Sequence, residues 1–315
     1  DRIIQTLKRF VEVNPRYYPI IALWVVGTYF HKDFYTYPYL FFNATRGSGK
    51  TRIISLLAYL CRGGKLTGDL TEANLFRNAS TTAFFIDEFE NIGSKEKGTL
   101  RLLLNSAYKK GLVVQRQRKN PNTGASMTEE FDVYTPIALA NISGMDDVLA
   151  DRCISIVIDR SFNQFVTRKM ENWDVDREIK DIKEDLVSFS VVSMPLDNVY
   201  GDVFLTPFSL IWNRMLDDIS TNNTTTLNYT TTLQHRTTLN DTDIKDAEQA
   251  LAFMEYEELG VEPNKEITDF ILSVYQSSLG GRNLELFLPL LFTANIVDKS
   301  LLPEIISIAE EISEE

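Results

Sequence analysis

Residues Ala44-Thr45-Arg46-Gly47-Ser48-Gly49-Lys50-Thr51 decide how the rest of the chain is read. A short aromatic and aliphatic run at 37–43, bounded by turn residues, precedes them and suits a buried strand. Apolar residues at helical spacing follow at 51–60. Strand, glycine loop and helix in that order are the context a phosphate-binding loop needs. Gly47 and Gly49 let the backbone curl until successive N–H groups point inward at an anion, and the helix adds the positive end of its dipole. Ala44 stands where the strict spacing has its first glycine. This is a mild departure, because that position shapes the turn rather than the close approach.

Outward from the loop, further apolar strands are predicted at 82–87, 134–141 and 153–158, with helical stretches between them. That alternation predicts an α/β fold, a mostly parallel sheet with helices on both faces. Ala83-Phe84-Phe85-Ile86 ends in Asp87-Glu88, placing two carboxylates at the C-terminal end of a strand, the edge where such sheets bind ligands. Joined to the upstream loop, this pair predicts a P-loop site for ATP and Mg²⁺. Residues 44–51 cradle the phosphates, Lys50 reaches the β- and γ-phosphates, and Thr51 and Asp87 hold the metal. Glu88 orients and deprotonates the attacking water, with Glu90 as the spare base. A tandem Asp-Glu favours hydrolysis over transfer to a bound substrate.

Residues 1–34 read as two helices broken at Asn14-Pro15. The apolar run at 18–30 is too short for a membrane span and reads as a buried helix. Segments 112–118 and 126–134 flank the turn residues 120–124 as a β-hairpin. Beyond about residue 165 the strand pattern stops. Helices are predicted at 169–189, 243–259, 267–279, 284–296 and 303–312, and the Thr/Asn-rich stretch 220–242 reads as a loop or linker. The chain thus divides into an N-terminal helical segment (1–34), a core (35–165) carrying the hairpin insertion 112–134, and a helical C-terminal region (166–315).

With 44% apolar and 24% charged residues, the chain falls in the ordinary globular class. Cys61 and Cys153 cannot form a disulfide framework and no secretory signal is visible, so a reducing cytoplasm is expected. His31 and His235 lie far apart with no cysteine nearby, which argues against zinc. A net charge of −12 excludes a surface that is basic throughout. The cations are nevertheless concentrated: Lys95, Lys97, Arg101, Lys109, Lys110, Arg116, Arg118 and Lys119 face only Glu96 in that stretch. One local anionic partner is implied. The chain begins on Asp1 rather than Met, as an excerpt of a longer protein would.

Three further segments carry a resemblance. Pro136-Ile-Ala-Leu-Ala-Asn141 is a strand ending in an amide, Leu149-Ala-Asp-Arg-Cys153 precedes the next strand, and Leu102-Leu-Leu-Asn-Ser-Ala-Tyr-Lys-Lys-Gly111 leads into the hairpin. In that order, over residues 38–160, the chain resembles AAA+ ATPases. It is closest to the helicase-type motors of mobile elements, plasmids and phages that are related to minichromosome-maintenance helicases. The resemblance implies that Asn141 holds the attacking water, although an Asn there also suits a strand cap. It implies that Arg152 is an arginine finger reaching a neighbouring subunit, with Arg160 as competitor and pairing to Asp151 or Asp147 as the structural alternative. Gly281-Arg-Asn-Leu-Glu-Leu-Phe-Leu-Pro-Leu-Leu291 resembles the lid helix of the same group, making Arg282 the sensor-2 residue. In a ring, expected to be a hexamer, the hairpin projects into the central channel. There Arg116, Arg118 and Lys119 would hold DNA backbone phosphates without reading bases. The implied function is ATP-driven translocation on DNA and its unwinding during replication. A loader or remodeller acting on a protein partner is the alternative, and a nucleotide-gated module with negligible turnover is the third reading.

Overall fold

The computed structural model describes residues 1–68, 70–87, 98–119, 126–141, 145, 147–193, 269–270, 273–274 and 276–314. They fall into two compact units, one of residues 1–31 and 36–188, the other of 32–35 and 189–315.

The first unit is built on strands β1 (Tyr39–Ala44), β2 (Gly64–Thr67), β3 (Ala83–Ile86), β6 (Ile137–Asn141) and β7 (Cys153–Ile158). Their order in the sheet is β2-β3-β6-β1-β7, and every pairing is parallel. The inner strands β3 and β6 are buried at every residue and β1 at all but Asn43. That double-faced burial is why they read as continuous apolar runs. At the edge, β2 buries none of its residues fully, and no strand is predicted there from the sequence.

Helices cover both faces. On one, α3 (Lys50–Leu60) packs on β2, β3 and β6, and Trp24 of α2 (Tyr17–Gly27) meets Phe85 edge-on with ring centroids 6.0 Å apart. On the other, Phe84 and Ile86 join a core with Leu75 and Phe76 of α4 (Glu72–Asn78) and Leu100, Leu103 and Leu104 of α5 (Gly98–Ser106). Alternate residues of β3 thus serve opposite faces, as the pleat requires. Buried tyrosines satisfy their hydroxyls on carbonyls: Tyr37 donates to Trp24 O (2.6 Å), Tyr39 to Leu104 O (2.9 Å) and Tyr29 to Leu60 O (2.7 Å). Burial pushes all three phenols above their ordinary range and keeps them neutral donors.

The N-terminal helix α1 (Arg2–Phe10) packs on α2 and on the short α7 (Gln164–Thr167). Arg9 bonds Asp176 (2.7 Å) and Glu178, Arg2 bonds Asp185, and Phe10 meets Trp173 edge-on at 4.7 Å. These contacts tie α1 to α8 (Arg177–Ser193), which begins later than the predicted 169 because a turn fills 173–175. β4 (Val113–Lys119) and β5 (Ser126–Asp132) pair antiparallel as the expected hairpin. A four-residue helix, α6 (Asp147–Ala150), leads into β7.

In the second unit α9 (Gly281–Val297) and α10 (Leu302–Ser313) pack together. Residues 284–295 of α9 are all buried, which sustains the helix through Pro289. Phe34 and Phe270 meet Phe292 edge-on at 5.6 and 6.2 Å. Among the described residues no helix is long and apolar enough to cross a membrane. The stretch 220–242, the helix expected at 243–259 and residues 267, 268, 271, 272 and 275 of that expected at 267–279 lie outside the described residues.

Candidate functional site

β1 ends at Ala44, and the chain then turns away from the sheet, with Thr45 N donating to Ile158 O (3.4 Å) and Ser48 N to Thr45 O (3.2 Å). Gly47 (φ 76°) and Gly49 (φ 93°) both take left-handed conformations that L side chains rarely adopt. Gly49 is the N-cap of α3 and supplies no side-chain acceptor, so the amides of the first turn have no capping partner of their own. Ser48 is 6% exposed and its hydroxyl has no hydrogen-bond partner among the described residues. An orphaned buried hydroxyl beside uncapped amides is what a site shaped for an anion would contain.

Across from the loop, Asp87 leaves the end of β3. Its carboxylate accepts from the Thr51 hydroxyl at 2.6 Å and pairs with Lys50 Nζ at 3.2 Å. The side chains of Lys50 and Asp87 are only 12% and 15% exposed. A hydroxyl and a carboxylate in contact are hard oxygen ligands of the kind Mg²⁺ takes, and the Lys50 ammonium lies against the same carboxylate. The donor set is of a kind that could hold a divalent cation and a phosphate chain, with Thr51 and Asp87 able to bind the metal and Lys50 able to exchange Asp87 for phosphate oxygens.

A cavity of about 650 Å³ opens beside the loop. Residues 45–52 form one wall. Phe10, Val11 and Glu12, from the end of α1 and just beyond, form another with Ser161, Val166, Thr167 and Glu171. The N-terminal helix thus contributes to the candidate site, which sequence reasoning missed because the contact joins positions more than thirty residues apart. Arg52 was missed as well. It bonds Val166 O (2.7 Å), Lys169 O (3.0 Å) and Glu171 Oε1 (3.3 Å), whereas in the sequence it looks like a charge on a helix surface.

The remaining expected residues fall at several places. Asn141 is 3% exposed at the end of β6, in register with Asn43, so the strand between β1 and β3 brings its amide to the loop's edge of the sheet. Glu88 and Glu90 lie outside the described residues. Arg152 stands at the opposite edge, where its carbonyl accepts from Tyr39 N at the start of β1. The length of β7 puts it roughly 17 Å or more from its own loop, out of reach. Its guanidinium donates to Asn105 O (2.7 Å) and Val148 O, lies over the Tyr108 ring (5.2 Å) and approaches Asp151 to 3.9 Å. Arg160, just past Ile158, is exposed at the loop's edge. Arg282, in the second unit, bonds Glu285 one turn on.

On the hairpin, Arg116 bonds Glu72 of α4 (3.2 Å) and lies over the Phe76 ring (5.3 Å). Arg118 pairs with Glu129 of the facing strand (3.0 Å) while its side chain stays 68% exposed. Lys119 ends β4, and the turn 120–124 lies outside the described residues.

No protein-family model matches the chain, and no curated protein matches it.

Proposed function

We propose that the chain is a magnesium-dependent ATPase of the AAA+ P-loop type, working as the motor of a ring-shaped DNA helicase. One observation carries the nucleotide reading: Lys50 and Thr51 converge on Asp87 next to a loop held open by two left-handed glycines, at the ligand-binding edge of a parallel sheet. The apolar side of the cavity, Phe10, Val11 and Val166, would receive the nucleoside.

In this reading the loop amides and the Ser48 hydroxyl bind phosphate oxygens, and Lys50 leaves Asp87 to neutralise the β- and γ-phosphates. Thr51 and Asp87 would hold a magnesium ion, which would supply charge compensation for the phosphates when bound. Glu88 takes the proton of the attacking water, and Asn141 holds that water in line. Arg152 cannot serve its own loop. It acts by exchanging its carbonyl partners for the γ-phosphate of a neighbouring subunit, and Arg282 is the sensor-2 candidate. The hairpin tip, with Arg118 and Lys119, grips DNA backbone phosphates in the channel of the ring, expected to be a hexamer in the cytoplasm.

A second reading, a loader or remodeller acting on a protein, is favoured by one observation. Arg116 and Arg118 already pair with Glu72 and Glu129, which lowers the positive charge the hairpin offers to DNA. The ATPase rate with and without single-stranded DNA, measured alongside particle mass with ATP present, tests both. DNA stimulation of a multi-subunit particle supports the helicase motor. A DNA-indifferent rate supports the remodeller, and no ATPase at all defeats both.

A further inference from the structure

Arg52 is not among the residues that the phosphate chemistry uses, yet its side chain is only 17% exposed and makes four bonds. It sits in the first turn of α3, two residues after Lys50. One guanidinium nitrogen reaches Val166 O at 2.7 Å and, more weakly, Phe10 O at 3.5 Å. The second reaches Lys169 O at 3.0 Å, and Nε reaches Glu171 Oε1 at 3.3 Å. Phe10, Val166 and Glu171 line the cavity together with the loop residues. One planar fork therefore joins α3 to the end of α1 and to the 166–171 segment, both of which line the cavity.

We infer that Arg52 is a positioning residue for nucleoside binding. It holds the 166–171 segment and the end of α1 at the distance that accepts a base and ribose, while the loop alone handles the phosphates. The inference rests on the nucleotide reading above. The physical reason lies in the partners. Val166 and Lys169 lie in and just after a four-residue helix, too short to hold itself in place. Charge-assisted bonds from a rigid guanidinium supply the missing constraint. Lysine replaces it only in part, because an ammonium lacks the planar fork that reaches carbonyls on two segments and a carboxylate at once.

The test uses two probes on the full chain, ATP and inorganic tripolyphosphate, both with Mg²⁺. In Arg52→Ala, ATP affinity should fall roughly tenfold or more, as expected when several charge-assisted bonds to one wall are lost. Tripolyphosphate affinity should stay within about twofold, because the loop is untouched. In steady state, KM for ATP should rise far more than kcat falls. Arg52→Lys should lie between wild type and Arg52→Ala, and it serves where the alanine variant does not fold. Equal losses for ATP and tripolyphosphate would mean that Arg52 shapes the loop itself and would overturn the proposal, as would unchanged ATP affinity in both variants. Wild-type protein that binds neither probe would instead sink the nucleotide reading, so the two failures are distinguishable.

Discussion

Lys50→Ala offers the most exacting check on the proposed phosphate site. The lysine is 12% exposed and lies 3.2 Å from Asp87, so its ammonium is largely removed from water and a phosphate replacing Asp87 would meet it at close range. A hydrogen bond to a charged group contributes about 1.5–3 kcal/mol, which predicts roughly 10- to 150-fold weaker nucleotide binding. Thermal unfolding with Mg-ATP reads this directly. Ligand at about 100 times its Kd stabilises a protein by about 2.7 kcal/mol. For a unit of this size that is a rise of roughly 5–11 °C in Tm. A fiftyfold loss of affinity at the same concentration leaves about 0.6 kcal/mol, and the rise shrinks to roughly 1–3 °C. Without nucleotide the variant should lose only about 1 kcal/mol, because Asp87 still accepts from Thr51. Asp87→Asn should behave differently, keeping Mg-free nucleotide binding and losing the extra affinity that Mg²⁺ confers. If Lys50→Ala showed the full wild-type ATP shift, the ammonium would be a counterion for Asp87 and nothing more.

Other outcomes follow from the same geometry. Glu88→Gln should retain ATP binding and stall turnover, and hydrolysis at the wild-type rate would remove Glu88 as the base. Mixing Arg152→Ala with Glu88→Gln subunits should give activity that depends on their ratio in the particle, since Arg152 lies beyond reach of its own loop. Simple additivity of the two rates would contradict action across an interface. Replacing Arg116, Arg118 and Lys119 together by Ala should lower the ratio of DNA-stimulated to basal ATPase, and an unchanged ratio would favour the remodeller. Acid should loosen the α1–α8 contact. Partial burial pushes the Asp176 carboxyl up, but the Arg9 hydrogen bond, the Ile179 amide and the nearby Arg9 charge outweigh it, so the pKa lies below the ordinary value. Stability from a lowered carboxyl is fully present above its unfolded value of about 3.9 and is lost as pH falls through the lower folded one. A Tm series from pH 7 down to 3 should therefore fall more steeply in wild type than in Asp176→Asn, and parallel curves would refute it.

Sequence alone located β1, β3, β6 and β7 and the hairpin, because strands buried in a sheet read as apolar runs, and it marked the turn at Gly47 and Gly49, where a left-handed backbone favours glycine. Phe84-Phe85-Ile86 and Gly47-Ser48-Gly49 state those demands locally. It did not reveal β2, whose Lys65 and Leu66 lie at a half-exposed edge and carry no periodic signal, nor the late start of α8, which a turn near Trp173 sets. Tertiary structure decided which residues share a space. It inserted β6 between β1 and β3 and so carried Asn141 to the loop's edge, and it drew Phe10 and Glu12 into the cavity wall. It also sent Arg152 to the far edge and turned Arg52 from a helix-surface charge into a brace. Side-chain type and spacing report the backbone conformation and burial that each segment requires. Contacts between distant segments depend on how the sheet orders its strands, and no local pattern encodes that order.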